Sequence, residues 1–153
     1  VEDRKCLVCV AFKSPPRACD ISPYGSSVAV GLADGSVEIL QAHWSGDDGG
    51  PTTLEVDRRI PGEKDLGVSC LRYSQIIGNP PKVFLAVGTD KRKPEPPKDG
   101  EKPSEAMQFG GEVTVYDASS RYAFVETAQQ DLSDGHKGDI TSFDWSEMPE
   151  GLL

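Results

Sequence analysis

No apolar run in this chain approaches the roughly 20 residues that a membrane-crossing helix needs. Nor does an apolar segment with a cleavage site follow Val1–Lys5, so no secretory leader is visible. Basic residues are scarce: 16 Lys and Arg stand against 25 Asp and Glu, a net charge of -9 that repels both nucleic acid and anionic membranes. Four cysteines in 153 residues are too few for a disulfide framework, and their usage fits a reducing compartment. Cys6 and Cys9 form a C-x-x-C with no second such pair, while His43 and His136 stand in other contexts. The pair reads as small apolar residues buried in a strand, where positions three apart point to opposite faces and cannot share a metal. A phosphate-cradling G-x-x-x-x-G-K is missing. Asp47-Asp48-Gly49-Gly50 lacks the spacing and closing glutamate of a calcium loop. Metals and cofactors therefore have no candidate ligands.

What the chain does contain is a phrase said three times. It runs from Ala18 to Leu40, again from Val68 with a continuation from Gly110, and a third time, incompletely, from Gly135. Anchored on Ser22, Ser74 and Ser146, the copies align Ile21 with Tyr73 and Trp145, and Cys19 with Leu71 and Phe143. Val28-Ala29-Val30-Gly31 answers Leu85-Ala86-Val87-Gly88, and Gly35 to Ile39 answers Gly111 to Val115. Repetition on this scale signals an array of small β units.

Within the first unit, strands are expected over Ala18–Ser22, Ser27–Leu32, Ser36–Leu40 and Thr53–Ile60. Pro23-Tyr24-Gly25 and Ala33-Asp34-Gly35 serve as turns, because Gly accepts the positive φ that tight hairpins demand. The alternation of the third strand puts Val37 and Ile39 inward, Ser36 and Glu38 outward; Leu54 and Val56 of the fourth also point inward. The second unit repeats the course over Val68–Ser74, Val83–Thr89, Glu112–Asp117 and Tyr122–Ala128. Its spacing differs in one place. Gly31 and Gly35 are 4 residues apart, Gly88 and Gly111 are 23 apart, and this excess of 19 accounts for nearly all the change in period from 52 to 72. The added stretch carries five bases and five acids among several prolines. It cannot bury enough apolar surface to order itself and reads as a mobile, disordered excursion over 90–110. The organisation expected is thus the last strand of a preceding unit (5–12), a full unit (17–60), a second with the insertion (67–128), and the start of another (135–153).

Four-stranded units at this period, with a Gly-His (Gly135-His136) before a first strand and an Asp-Gly turn (Asp34-Gly35) before a third, resemble WD40 blades of a β-propeller. Tyr116-Asp117 stands where that family carries Trp-Asp. The wording Ser22-Pro23, Gly25, Ala29-Val30-Gly31, and above all Gly135-His136, Ile140-Thr141 and Asp144-Trp145-Ser146, is similar to the echinoderm microtubule-associated protein-like family. The fold class expected is all-β: two full four-stranded antiparallel blades plus partial flanking blades, a fragment of a larger propeller. The resemblance implies that His136 and Asp34 lock blades structurally, whereas the register of Trp145 with Ile21 and Tyr73 assigns it to the core. It further implies a cytoplasmic, cytoskeletal protein that engages tubulin or microtubules, with the remaining blades of the parent as intramolecular partners.

His136 lies between Asp134 and Asp139, yet no nucleophile or pocket is suggested beside it, so catalysis is not expected. Lys91, Arg92 and Lys93 are the candidate contacts for an acidic partner, although their segment is neutral as a whole. With that segment neutral, the entire negative charge sits on the sheets, which argues against binding an acidic microtubule surface through charge. The reading is a non-catalytic interaction scaffold; the alternative is a generic WD-repeat adaptor in a signalling, ciliary or ubiquitin-ligase complex. Two blades without neighbours leave open edges, so the stretch alone is expected to be poorly soluble or oligomeric.

Overall fold

A computed structural model describes residues 6, 8–44, 51–62, 66–90, 110–120, 123–131 and 138–146. Among the described residues there is no helix: the chain is all-β, in two four-stranded antiparallel sheets. The first holds β1 (Pro16–Ile21), β2 (Ser27–Leu32), β3 (Val37–Trp44) and β4 (Pro51–Ile60). The second holds β5 (Val68–Tyr73), β6 (Phe84–Thr89), β7 (Glu112–Ser120) and β8 (Ala123–Asp131). In both, sequence neighbours are sheet neighbours.

Turn chemistry explains this order. Gly35 closes the β2–β3 hairpin at φ 85°, donating its N–H to Leu32 O at 3.1 Å while Leu32 N–H reaches Ser36 O at 2.9 Å. Gly25, at φ 69°, does the same between β1 and β2, donating to Ser22 O at 2.7 Å. The repeated serines tie first strand to second: Ser22 N–H donates to Ser27 O at 2.9 Å and Ser74 N–H to Phe84 O at 2.8 Å. Both are buried, so their polar atoms need these partners.

The two sheets stack face to face through β1, β2 and β5. Ala29, Val37 and Ile39 of the first meet Val68, Leu71, Tyr73, Val83, Leu85 and Val87 of the second in one apolar core. Contact is closest at Gly31, where an added Cβ would lie 2.3 Å from Val68 Cγ1 and 3.1 Å from Leu71 Cδ2. The opposite face of the second sheet has a similar arrangement: a Cβ on Gly88 would lie 2.7 Å from Cys70 Sγ of its own sheet and 2.9 Å from both Ile140 and Phe143. Ile140 and Phe143 stand 72 residues beyond Val68 and Leu71, as their serine anchors do. One packing rule is used twice, first between sheets and then between a sheet and the segment that follows.

A β-bulge makes the rule possible. Register shifts between Pro16 and Ala18 in β1, and between Val68 and Cys70 in β5, insert one extra residue into each strand. The extra residue reverses the alternation, so Val68, Leu71 and Tyr73 all turn to the first sheet although the first two are three apart.

The structure corrects several expectations. The segment expected as a strand over 5–12 forms no ladder at its described residues; its Val10 and Phe12 lie against Val30, Leu32 and Leu40. A ladder needs a neighbour, and this segment meets the sheet by its face. The described part of 135–153, residues 138–146, likewise packs on a face without becoming a strand. Glu38 and Ser36, expected outward, are 7% and 3% exposed. Glu38 is opposite Val30, on the face that Val10 and Phe12 cover, and Ser36 is held inside its turn. Val56, expected inward, is 48% exposed, because β4 is an edge strand that nothing described covers fully. Ile21 is 62% exposed while its counterpart Tyr73 is buried, since the first sheet covers Tyr73 and no described residue covers Ile21 to that degree. Of the insertion expected over 90–110, residues 91–109 lie outside the described residues; at its start Asp90 is tied in, its N–H donating to Gly67 O at 2.8 Å.

Two substitutions test the stacking rule. Gly31→Ala is expected to destabilise the chain by about 1–3 kcal/mol, the usual cost of overpacking, measured by chemical denaturation. Gly88→Ala should instead loosen the 138–146 segment, read as a red shift of Trp145 emission before the main transition, with a Trp44→Phe background isolating that signal.

Candidate functional site

Asp34 sits at the tip of the β2–β3 hairpin and gathers three donors. Its Oδ1 accepts from Ser36 N–H at 3.1 Å and Ser36 Oγ–H at 2.6 Å, and its Oδ2 pairs with Arg59 Nη2 of β4 at 2.7 Å. Arg59 also donates to Ser36 Oγ at 3.0 Å, closing the triangle. The hydrogen bond from the Ser36 hydroxyl, helped by the Arg59 charge, holds the Asp34 carboxyl below its ordinary value of 3.8. The group that ties this hairpin to its neighbour is therefore an arginine from the same sheet. His136, to which the resemblance assigns a locking role, lies outside the described residues, as do Lys91, Arg92 and Lys93.

Asp117 plays a similar part at the other sheet, its Oδ1 accepting from Ser119 N–H at 2.9 Å. The Ser119 hydroxyl, together with that backbone contact, lowers its carboxyl pKa. Ser119 Oγ in turn accepts from Val83 N–H at 3.0 Å, so the end of β7 is fastened to the start of β6.

The residues two before each anchor serine come together as a row. Arg72 lies between Asp20 and Asp144, 3.9 Å from a carboxylate oxygen of each. Asp20 also accepts from Tyr73 N–H at 2.8 Å, which couples the two sheets by a charge-assisted bond. Trp145 continues the row: its indole N–H donates to Arg72 O at 3.2 Å, and its ring stacks on Phe84 with centroids 6.2 Å apart. Trp145 is thus half-buried against β5 and β6, not enclosed in the core as its register suggests, because only one sheet faces it. The row rims a recess of about 380 Å³ with exposed Ile21 at one end and Trp145 at the other. Exposed apolar surface thus lies beside a mixed-charge row at this recess.

That row was not singled out in the sequence. The signal that could have found it is positional: Asp, Arg and Asp recur at one place in three copies.

The cysteines require a correction. Cys6 and Cys9, read as buried, are exposed free thiols, as is Cys19. Cys9 points outward because its neighbours Val8 and Val10 turn inward in the extended segment. Burial raises the pKa of the half-buried Cys70 thiol, so it stays protonated at neutral pH. Among the described residues, no three His, Cys, Asp or Glu side chains converge as metal ligands.

Geometry thus defines the chain as an all-β protein of stacked, repeated four-stranded sheets. Comparison with family models, curated proteins and solved structures gives no match.

The Asp34 triangle carries a pH signature. Its folded carboxyl ionises more readily than in the unfolded chain, so its stabilisation is present above 3.8 and fades as pH falls through the lower folded value. Asp34→Ala should therefore lower the denaturation midpoint at neutral pH, and the gap to wild type should close in acid. The effect is expected to be modest, since the Asp34 and Arg59 side chains are 40% and 42% exposed.

Proposed function

We propose that the chain is a pair of WD40-type propeller blades serving as a non-catalytic interaction scaffold in a cytoplasmic, microtubule-associated protein. The observation that supports this reading best is the repeated layer contact. Gly31 receives Val68 and Leu71, and Gly88 receives Ile140 and Phe143. Each four-stranded sheet thus offers one face to the layer before it and the other to the layer after it, as blades in a propeller do. The tubulin assignment is supported by sequence wording alone, chiefly the phrase from Gly135 to Ser146.

Charge constrains how such a scaffold would bind. At -9, and with the insertion neutral, the sheets do not dock on an acidic lattice by simple attraction. Binding instead uses the mixed surface of Ile21, the Asp20–Arg72–Asp144 row and Trp145. The second reading, an adaptor in a signalling, ciliary or ubiquitin-ligase complex, uses the same surface with a different protein.

Co-sedimentation of the chain, and of any longer form carrying it, with stabilised microtubules at several salt concentrations separates the two. Pelleting that persists as salt rises, and that weakens with Ile21→Asp, is expected. No pelleting even at low salt would exclude the tubulin reading and leave the adaptor.

A further inference from the structure

A second recess lies between the two sheets, at the end that carries the β1–β2 turn. It measures about 240 Å³, far more than the roughly 10–15 Å³ one water needs. Hydroxyls dominate its wall: Ser22, Ser26 and Ser27 from the turn, with Ser119 and Ser120 from β7 opposite. Tyr24, half-exposed, and Asp57, exposed, also line it. Asp57 is the extra residue of a β-bulge: Ile39 pairs with Arg58 and Leu40 with Val56, leaving Asp57 unpaired and on the recess. Bulges recur where a strand must re-aim a side chain.

One polar group here is unexplained by the fold. Tyr73 is 7% exposed and lines the recess, and its hydroxyl is buried with no hydrogen-bond partner among the described residues. The Ser27 hydroxyl stands beside it without closing a hydrogen bond. A buried hydroxyl without a partner costs about 1–3 kcal/mol, a cost that no contact within the described fold offsets. Phenylalanine would fill the same space. Burial, aided by the nearby Asp20 charge against the opposing Ser27 contact, pushes the phenol up to about 12, so it remains a neutral hydroxyl able to accept a hydrogen bond.

The remaining groups specify what it accepts. Among the described residues no lysine or arginine lines the recess, while the Asp57 carboxylate does. The Gln41 amide nitrogen is occupied by Ser26 O at 2.7 Å, which leaves the amide oxygen as an acceptor. Asp57 is thus the one charged side chain among the described lining residues, in a chain that is already strongly acidic. Tyr24 adds an aromatic face of the kind that attracts a delocalised cation. We infer that this recess binds an alkylguanidinium group, with Asp57 supplying the countercharge, Tyr24 a stacking face, and Tyr73 and Ser27 the inner acceptors. A guanidinium is planar, which suits a space between two sheets. It also carries five N–H donors and sheds water more easily than an ammonium. The group would come from an arginine of a partner polypeptide or from a free guanidino compound. The site is independent of the tubulin reading and stands or falls separately from it.

Isothermal titration calorimetry of the chain with N-acetylarginine methylamide tests the inference, with the citrulline analogue as a neutral isostere. Saturable one-to-one binding is expected, roughly tenfold or more weaker for citrulline and for Asp57→Asn. Tyr73→Phe should weaken arginine binding while leaving the unliganded denaturation midpoint equal or higher, which a purely structural tyrosine would not do. Asp57 is exposed, so its variant keeps the test open if Tyr73→Phe folds poorly. A short alanine peptide with one central arginine distinguishes the sources: much tighter binding than the free amide assigns the site to a polypeptide, equal binding to a free guanidino compound. Equal affinity for citrulline, an unchanged affinity in Asp57→Asn, or no binding of either probe would overturn the assignment.

Discussion

Everything in this fold depends on a backbone being allowed to come too close for a side chain. At Gly31 the first sheet lets Val68 and Leu71 press onto its main chain, and at Gly88 the second sheet grants the same approach to Ile140 and Phe143. These are not conformational glycines; neither needs a left-handed φ. They are glycines of contact, and their missing Cβ sets the spacing between layers. Fully burying a side chain such as Val68 is worth about 1.5–3 kcal/mol, and the approach secures that gain at each interface. The contact is also directional. One face of the first sheet meets one face of the second, and the second sheet's other face meets residues 140–143.

That directionality accounts for the two segments that are not strands. Val10 and Phe12 cover the leading face of the first sheet, and Ile140, Phe143 and Trp145 cover the trailing face of the second. Each satisfies the apolar demand of a face without ladder hydrogen bonds. A sheet needs both a covered face and a paired edge, and the two requirements are met here by different residues. The exposed Ile21 marks where the leading face is covered less completely than its counterpart at Tyr73.

Most of the eight strands were legible, because hairpin glycines and period-2 patterns are local signals; β2, from Ser27 to Leu32, matches the reading residue for residue. What local signals cannot carry is which face becomes crowded. Glu38 alternates like an outward residue, yet lies under a segment nearly thirty positions earlier in the chain. The bulge residues Arg17 and Ser69 were also hidden, since an inserted residue looks like any other until its partner strand is known. The rule that residues three apart point oppositely in a strand fails at those two places. There, the i, i+3, i+5 spacing of Val68, Leu71 and Tyr73 is the trace that the bulge leaves.

The candidate sites follow the same division. Asp34 was legible as a turn residue, but its partner Arg59 was not, because the pairing of β3 with β4 decides which cation arrives. The Asp20–Arg72–Asp144 row was written in the repeat but became chemistry only when the layers placed equivalent positions side by side. Stacking repeated units has this general consequence: a position that means nothing in one copy becomes a line of adjacent side chains across several. Where copies keep the same residue, as with the anchor serines Ser22 and Ser74, the position serves the fold. Where they differ, as with Ile21, Tyr73 and Trp145, each copy meets different surroundings. Tyr73 combines both outcomes in one side chain. Its ring completes the core between the sheets, while its hydroxyl contributes no bond to that core. A residue whose ring obeys the repeat and whose polar atom departs from it is where a structural unit has room to acquire a function.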